Sequence, residues 1–324
     1  MEFQPKHFVT PEKAKHHAEI LSNRVRNRFR HLFKRFKREK IDCFRLYDWD
    51  IPEVRAVVDW YAGHVVVAEY VRLQTGPDYL PQLAQAVAEA LNIPADHTHI
   101  KQRRTATDEG PRYHKLGSKG KRFEVRERNL RFWVNLDDFL DTGLFSDHRD
   151  TRVMISQLAA GKDFLNLFAY TGAFTCAAAL GGAKSTVTVD RSDTYLKWAK
   201  ENLKLNGFWG PQHTLVQSDV NRYLAQSYSA GRRFTLAFVD PPSFFQDYDK
   251  GVSFDINEDH PELIRNVLKI MVPGSTVFFS ANHQRFEPRL EGLPARDLIE
   301  LTPKTIPEDY RNKHVHRCWR MIAL

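Results

Sequence analysis

Three acidic residues close apolar runs in the second half of the chain: Asp190 ends "VTVD", Asp219 ends "LVQSD" and Asp240 ends "FVD". If the runs are strands, three carboxylates stand at successive strand ends, where open α/β sheets bind their ligands. Asp190 follows the turn of "NLFAYTGAFTCAAALGGA" by about 20 residues, a position from which a carboxylate accepts both hydroxyls of a ribose. Asp219 suits the edge of an adenine. That turn holds one glycine before its helix, Gly172, where a dinucleotide site shows Gly-x-Gly-x-x-Gly, so NAD is disfavoured. After Asp240, Pro241 and Pro242 donate no backbone N–H and fix φ, which stops the sheet and aims Ser243 and Phe244 beyond the strand end.

These residues need a scaffold, and the pattern supplies one. From residue 137 to 324, "DFLNLF", "STVTVD", "HTLVQSD", "FTLAFVD", "STVFFSAN", "LIELTP" and "CWRMIAL" alternate with helical stretches such as "DTYLKWAKENLKLNG". Seven strands with intervening helices predict a doubly wound, seven-stranded, Rossmann-like α/β sheet. Residues 41–136 shift to β-branched and aromatic runs around one helix, "DYLPQLAQAVAEALN", and predict a smaller α+β domain. In residues 1–40, Val25, Phe29, Leu32, Phe33 and Phe36 recur at helical spacing, with Ser22 or Asn23 available as the cap.

That N-terminal helical arm carries nine Lys or Arg between Arg24 and Lys40 against one acid, Glu39. Arg103, Arg104, Lys115, Lys119, Lys121 and Arg122 form a second basic group. With a net charge of +8, this clustering favours a polyanionic partner such as RNA. Cys43, Cys176 and Cys318 have neither disulfide-framework nor zinc-ligand spacing, no metal is expected, and a reducing, cytoplasmic setting fits. No apolar run approaches the ~20 residues of a membrane span and no leader pattern opens the chain, so no membrane partner is expected.

The series "DFLNLFAYTGAFT", "VTVD", "VQSD" and "VDPPSF" resembles class I S-adenosylmethionine-dependent methyltransferases. With "CFRLYDWDIPE", "VVVAEY" and "WVNLDDFLDTGLFSDHR" it is similar to the C-terminal, guanine-N7-forming half of bifunctional 23S rRNA methyltransferases, over about residues 20 to 324. The resemblance implies S-adenosylmethionine as cofactor. Phe168, Tyr170, Thr171 and Gly172 would line its methionine and ribose side, Asp190 would hold the ribose and Asp219 would meet the adenine. Asn166, Arg191 and Val220 belong to the same implied set, and Phe145, Asp147 and Arg149 would close the pocket. Asp240, Pro241, Pro242, Ser243 and Phe244 would form the wall between cofactor and target base. The bifunctional relatives also carry an N-terminal methyltransferase half and a THUMP region without counterpart in these 324 residues. Capture of 23S rRNA, or of a large-subunit assembly intermediate, then falls to the basic arm, the small domain or a separate partner.

Chemistry narrows the methyl acceptor. Methylation at carbon 5 of a pyrimidine needs a thiolate, and the tips "DPPSF" and "FFSANHQRF" contain no cysteine. Guanine N7 offers an in-plane lone pair, so it needs only extraction, stacking on Phe244 or Phe245, and alignment. Asp240 would orient the Watson–Crick edge or hold the Pro-Pro turn. The alternatives are an exocyclic amine or a base carbon as acceptor, or a non-catalytic rRNA-binding assembly factor.

Overall fold

The computed structural model describes residues 9–70, 74–103, 117, 120–247, 252–283 and 285–324. Arg104, Lys115 and Lys119 of the second basic group lie outside the described residues. The chain divides into two compact units. The first takes the chain up to Asn129 with Val134–Thr142 and Glu308–Asn312; the second takes Leu130–Trp133, Gly143–Pro307 and Lys313–Leu324.

The first unit begins with α1 (Pro11–Arg38), which starts eleven residues before the expected cap at Ser22. Thr10 Oγ1 caps it by accepting from Lys13 N at 3.3 Å, and Pro11 occupies the first turn, where its missing N–H costs nothing. Nothing between Pro11 and Ser22 breaks the helix. Instead Ala14, Ala18, Leu21, Val25, Leu32 and Phe36 form one buried stripe at spacings of three, four and seven residues. The stripe packs into the core that α1 shares with β1 (Cys43–Asp48), β2 (Ala56–Tyr61), β3 (His64–Tyr70) and α2 (Tyr79–Leu91). Each such large side chain contributes about 1.5–3 kcal/mol, so α1 is part of this unit's core. Strand β4 (Thr98–Arg103) completes a sheet of order β1-β2-β3-β4, and β5 (Phe123–Glu127) follows. The β2–β3 hairpin turns on Ala62 and Gly63, both at positive φ, as two-residue hairpins require.

The second unit contains β6 (Leu130–Val134), α3 (Arg149–Leu158), β7 (Asp163–Leu167), α4 (Ala173–Leu180), β8 (Ser185–Asp190), α5 (Asp193–Leu205), β9 (His213–Gln217) and α6 (Val220–Ser229). It continues with β10 (Phe234–Val239), β11 (Phe244–Asp247), β12 (Val252–Asp255), α7 (Ile256–Leu268), β13 (Met271–Ala281), β14 (Ala295–Glu300), α8 (Thr302–Thr305) and β15 (Arg317–Ala323). Seven of these strands form one sheet of order β14-β15-β13-β10-β7-β8-β9, each overlapping a strand expected from the sequence. The five from β13 to β9 pair in parallel; β15 and β14 are antiparallel additions. This is the class I methyltransferase fold.

Register fixes the site. Val239, Leu167, Val189 and Val216 are mutual partners across β10, β7, β8 and β9. Asp240, Phe168, Asp190 and Gln217 therefore follow along one row at the carboxyl edge. On the other side Phe279 of β13 pairs with Val239, so Ser280 is next beside Asp240, and Cys318 of β15 faces Ser280. No helix among the described residues is long and apolar enough to cross a membrane.

Candidate active site

Between β7 and α4 the chain takes an unusual path. Phe168, Tyr170 and Gly172 have φ of 55°, 50° and 72°. Aromatic residues rarely adopt the left-handed region, and such strain persists where surroundings over-determine it. Here they do. Ala169 N donates to Val189 O, Tyr170 N donates to Asp190 Oδ2 at 2.8 Å, and Thr171 Oγ1 donates to Gly143 O at 2.7 Å. Asn202 Nδ2 holds Thr171 O at 2.9 Å, while Gly143 N donates to Tyr170 OH at 3.0 Å. A Cβ on Gly172 would lie 2.7 Å from Ala199 Cβ, against α5. Gly172→Ala is accordingly expected to cost about 2 kcal/mol or more, because positive φ and overpacking add, and to lower Tm by several degrees in thermal denaturation. An unchanged Tm would contradict this account of the turn.

Asp190 is buried, with Oδ2 on Tyr170 N and Oδ1 accepting from Ser192 N at 2.9 Å. Burial pushes its carboxyl up to about 6, against which the backbone N–H groups act. Its remaining lone pairs fit a group that presents hydroxyls, as a ribose does. Asp219 is half-buried and caps α6, Oδ1 accepting from Arg222 N at 3.1 Å. Phe145, 41% exposed, lies 5.1 Å from the Tyr170 ring, which meets Tyr195 edge-on at 4.5 Å. Arg191 lies over the Phe245 ring at 4.5 Å, joining the β8 tip to the β11–β12 hairpin.

Other residues of the expected set sit deeper. Asn166 is buried and donates to Thr175 Oγ1 at 3.0 Å, bracing α4 from below. Val220, the first residue of α6, has its side chain in the sheet's core. Thr171 and Arg149 are buried, and Asp147 is the partner of a histidine absent from that set.

At the β10 tip, Pro241 is buried, Pro242 half-buried, and Ser243 Oγ donates to Asn282 Oδ1 at 2.7 Å, tying this tip to that of β13. Phe245 turns inward onto Phe254, whereas Phe244 is 56% exposed. Strand alternation thus selects Phe244 as the free aromatic face. Burial, and then Asp147, push the Asp240 carboxyl up to about 6.

Behind Asp240 lies a buried cluster of which the sequence singled out only Asp147. His316 Nδ1 lies 2.8 Å from Asp147 Oδ2, and its Nε2 is 3.0 Å from Thr305 Oγ1. His148 stacks on His316 with centroids 4.0 Å apart and planes at 13°. Asp147, His148 and His316 each bring one ligand-type atom within 4.8 Å of the others. Stacked rings direct their in-plane lone pairs along parallel planes, however, and His316 spends both nitrogens on hydrogen bonds. The cluster fits a hydrogen-bonded support better than a metal ligand set.

No described thiol is poised for attack. Cys43, Cys176 and Cys318 are all buried; burial pushes the Cys176 thiol up to about 12 and raises that of Cys318 as well.

The family described as S-adenosylmethionine-dependent methyltransferase matches residues 47–297. Among solved structures, SMU.776, complexed with SAH, is similar over 93% of this chain and 82% of its own, at 22% identity and a TM-score of 0.72. A SAM-dependent methyltransferase from Agrobacterium tumefaciens is similar over 88% of this chain and 91% of its own, at 17% identity and a TM-score of 0.63. The complex of aTrm5 and tRNALeu contains a chain similar over 79% of this one and 68% of its own, at 12% identity and a TM-score of 0.52. At these identities the likeness is one of fold.

Proposed function

The chain belongs to the S-adenosylmethionine-dependent methyltransferase family, and from that premise we propose that it methylates a base nitrogen of RNA, guanine N7 of 23S rRNA. The observation that carries this reading is the β10 tip: a buried-edge carboxylate, two prolines and an exposed Phe244, with every described thiol buried away. Bound S-adenosylmethionine supplies an electrophilic methyl group on a sulfonium. Asp190 binds the ribose, Asp219 the adenine edge, and the strained Phe168–Gly172 turn with Phe145 encloses the rest. Phe244 stacks the extracted base, and the Asp240 carboxylate accepts from its Watson–Crick N–H groups, so that N7 lies in line for attack. The N7 lone pair would form its bond to the methyl carbon as the carbon–sulfonium bond breaks and S-adenosylhomocysteine leaves, with no proton lost, which is why the site would need no strong base.

A second reading, an exocyclic amine as acceptor, draws on one observation. Asp240, pushed up to about 6, lies near the range of a general base, and an amine must lose a proton.

An RNA substrate is supported by the charge pattern and by the tRNA in the aTrm5 complex. On α1, Arg24 pairs with Asp50, Arg35 with Glu308, and Arg28 donates to Asp309 O, so these three cations serve the unit itself. Arg30, Lys34, Lys37 and Arg38 are exposed. The variant R30A/K34A/K37A/R38A is expected to reduce the slope of log K against log salt by about 3 and to weaken RNA binding at low salt. An unchanged slope would remove α1 from the RNA interface. Incubation with 23S rRNA, 16S rRNA and tRNA, each with methyl-labelled cofactor, tests the substrate class: label in 23S rRNA is expected, and label confined to another RNA would contradict it.

A further inference from the structure

At the amino edge of the sheet, opposite the acids, the parallel strands begin beside cations. Lys162 precedes β7, Lys184 precedes β8, Arg232 and Arg233 precede β10, and Lys269 stands two residues before β13; all five are exposed. Register sets them side by side. Lys184 N donates to Lys162 O at 2.8 Å, and Phe234 N, next after Arg233, donates at 2.9 Å to the carbonyl of Ile270, next after Lys269. Strands β10 and β7 are neighbours. The order across the sheet is therefore Lys269, Arg232 with Arg233, Lys162 and Lys184, along four strands that together span about 14 Å.

Among the described residues nothing neutralises this row. None of the five cations forms an ion pair there; Lys269 Nζ donates to Asn266 Oδ1, and Arg233 to Arg232 O. Asp163, the acid nearest in sequence, is half-buried and accepts from Ser185 Oγ at 2.7 Å. Each strand start follows the end of a helix, α3, α4, α6 or α7, where a positive charge favours the macrodipole by about 0.3–1 kcal/mol. Yet none of the five side chains donates to a last-turn carbonyl of those helices. Two aromatic rings stand exposed at the same edge. Tyr228, 55% exposed, ends α6 beside Arg232, whose N–H bonds Ser227 O. Trp209, 39% exposed, lies in the turn before β9, beyond Lys184, with Lys200 Nζ 4.9 Å from its ring centre.

We propose that the amino edge of this sheet is a second RNA-binding surface, which grips the phosphate backbone of the rRNA away from the point of methyl transfer. The inference rests on the RNA substrate of the proposed function. A row of uncompensated cations matches a chain of regularly spaced phosphates, and the flanking Trp209 and Tyr228 offer rings to unpaired bases. Strands of five or six residues set this edge about 17–20 Å from the carboxyl edge, so it acts on affinity and leaves the chemistry untouched. An anionic bilayer would draw on the same charges. The helices, however, meet this edge by their ends and present no continuous apolar face for insertion.

The test uses the full chain and a 23S rRNA transcript. In K162A/K184A/R232A/R233A the slope of log K against log salt is expected to fall by about 2–3, and Kd at low salt to rise about tenfold or more. KM for the transcript should rise with Kd, while kcat and cofactor Kd stay within about twofold of the parent. A folded variant with unchanged slope and Kd overturns the proposal, and a lowered Tm as its one change would assign the cations to the helix ends. Loss of binding to phosphatidylglycerol–phosphatidylcholine vesicles, with RNA binding retained, overturns it in favour of a membrane. If the fourfold variant does not fold, K162A/K184A decides alone, with a slope lowered by about one or more expected. A parent that binds no transcript would overturn the proposed function as well, whereas a parent and variant that bind equally overturn this inference alone.

Discussion

Asp190→Ala is expected to lower affinity for S-adenosylmethionine by about 100-fold or more while leaving RNA affinity within a factor of about three. Two hydrogen bonds from ribose hydroxyls to a carboxylate contribute about 1.5–3 kcal/mol each, and the variant loses both. It also loses the acceptor for Tyr170 N, which holds that residue at positive φ. The pH dependence of the parent has a definite sign. With its carboxyl pushed up to about 6, Asp190 is ionised above that pH and protonated below it. Affinity should therefore weaken as pH falls from 7 to 5, and the variant should show no such limb. Calorimetric titration at several pH values reads both effects. Unchanged affinity in Asp190→Ala would remove the ribose from β8.

The second large effect joins loss of function to gain of stability. Asp240→Asn is expected to reduce methyl transfer about 100-fold, because the anionic acceptor that orients the base is gone. The same change should stabilise the unliganded protein at pH 8. The Asp240 carboxyl is raised in the folded chain, so the folded state binds its proton more tightly than the unfolded state does. The stabilising contribution of this group is complete below the unfolded value near 4 and is lost as pH rises through about 6. The loss approaches roughly 2–3 kcal/mol, lessened by the side chain's 25% exposure. Asparagine avoids it. Tm of the variant should exceed that of the parent by several degrees at pH 8, and the gap should close towards pH 4. Equal Tm values at pH 8, with transfer retained, would place Asp240 outside the site.

The sheet was legible because its central strands, such as β7, β8 and β10, are largely buried runs bounded by turn residues, and three of the expected runs end on an acid. Parallel pairing then put Asp240, the Phe168 turn and Asp190 along one edge, as that pattern requires. The start of α1 was harder to read. Charged and histidine residues of its first turns conceal the buried positions Ala14, Ala18 and Leu21, and the cap is a single threonine. After the Pro-Pro turn, alternation leaves Phe244 exposed and turns Phe245 onto Phe254, a difference that composition does not show. The His148–His316 stack had no local signal. Its members are 168 positions apart, and only the antiparallel return of β15 beside β13 brings the segment before Arg317 against the one before α3. Asn166 and Val220 show the converse limit: position near a strand end suggests a ligand, but the side chains of Asn166 in β7 and of Val220 at the start of α6 are buried.

The central claim is that this site delivers a methyl group to guanine N7 in 23S rRNA. Its most direct test is mass spectrometry of nucleosides from 23S rRNA incubated with the protein and isotopically labelled S-adenosylmethionine. Label in 7-methylguanosine, absent when Asp240→Asn replaces the parent, is the predicted result. Label in N2-methylguanosine or 5-methylcytidine, with 7-methylguanosine unlabelled, would contradict it.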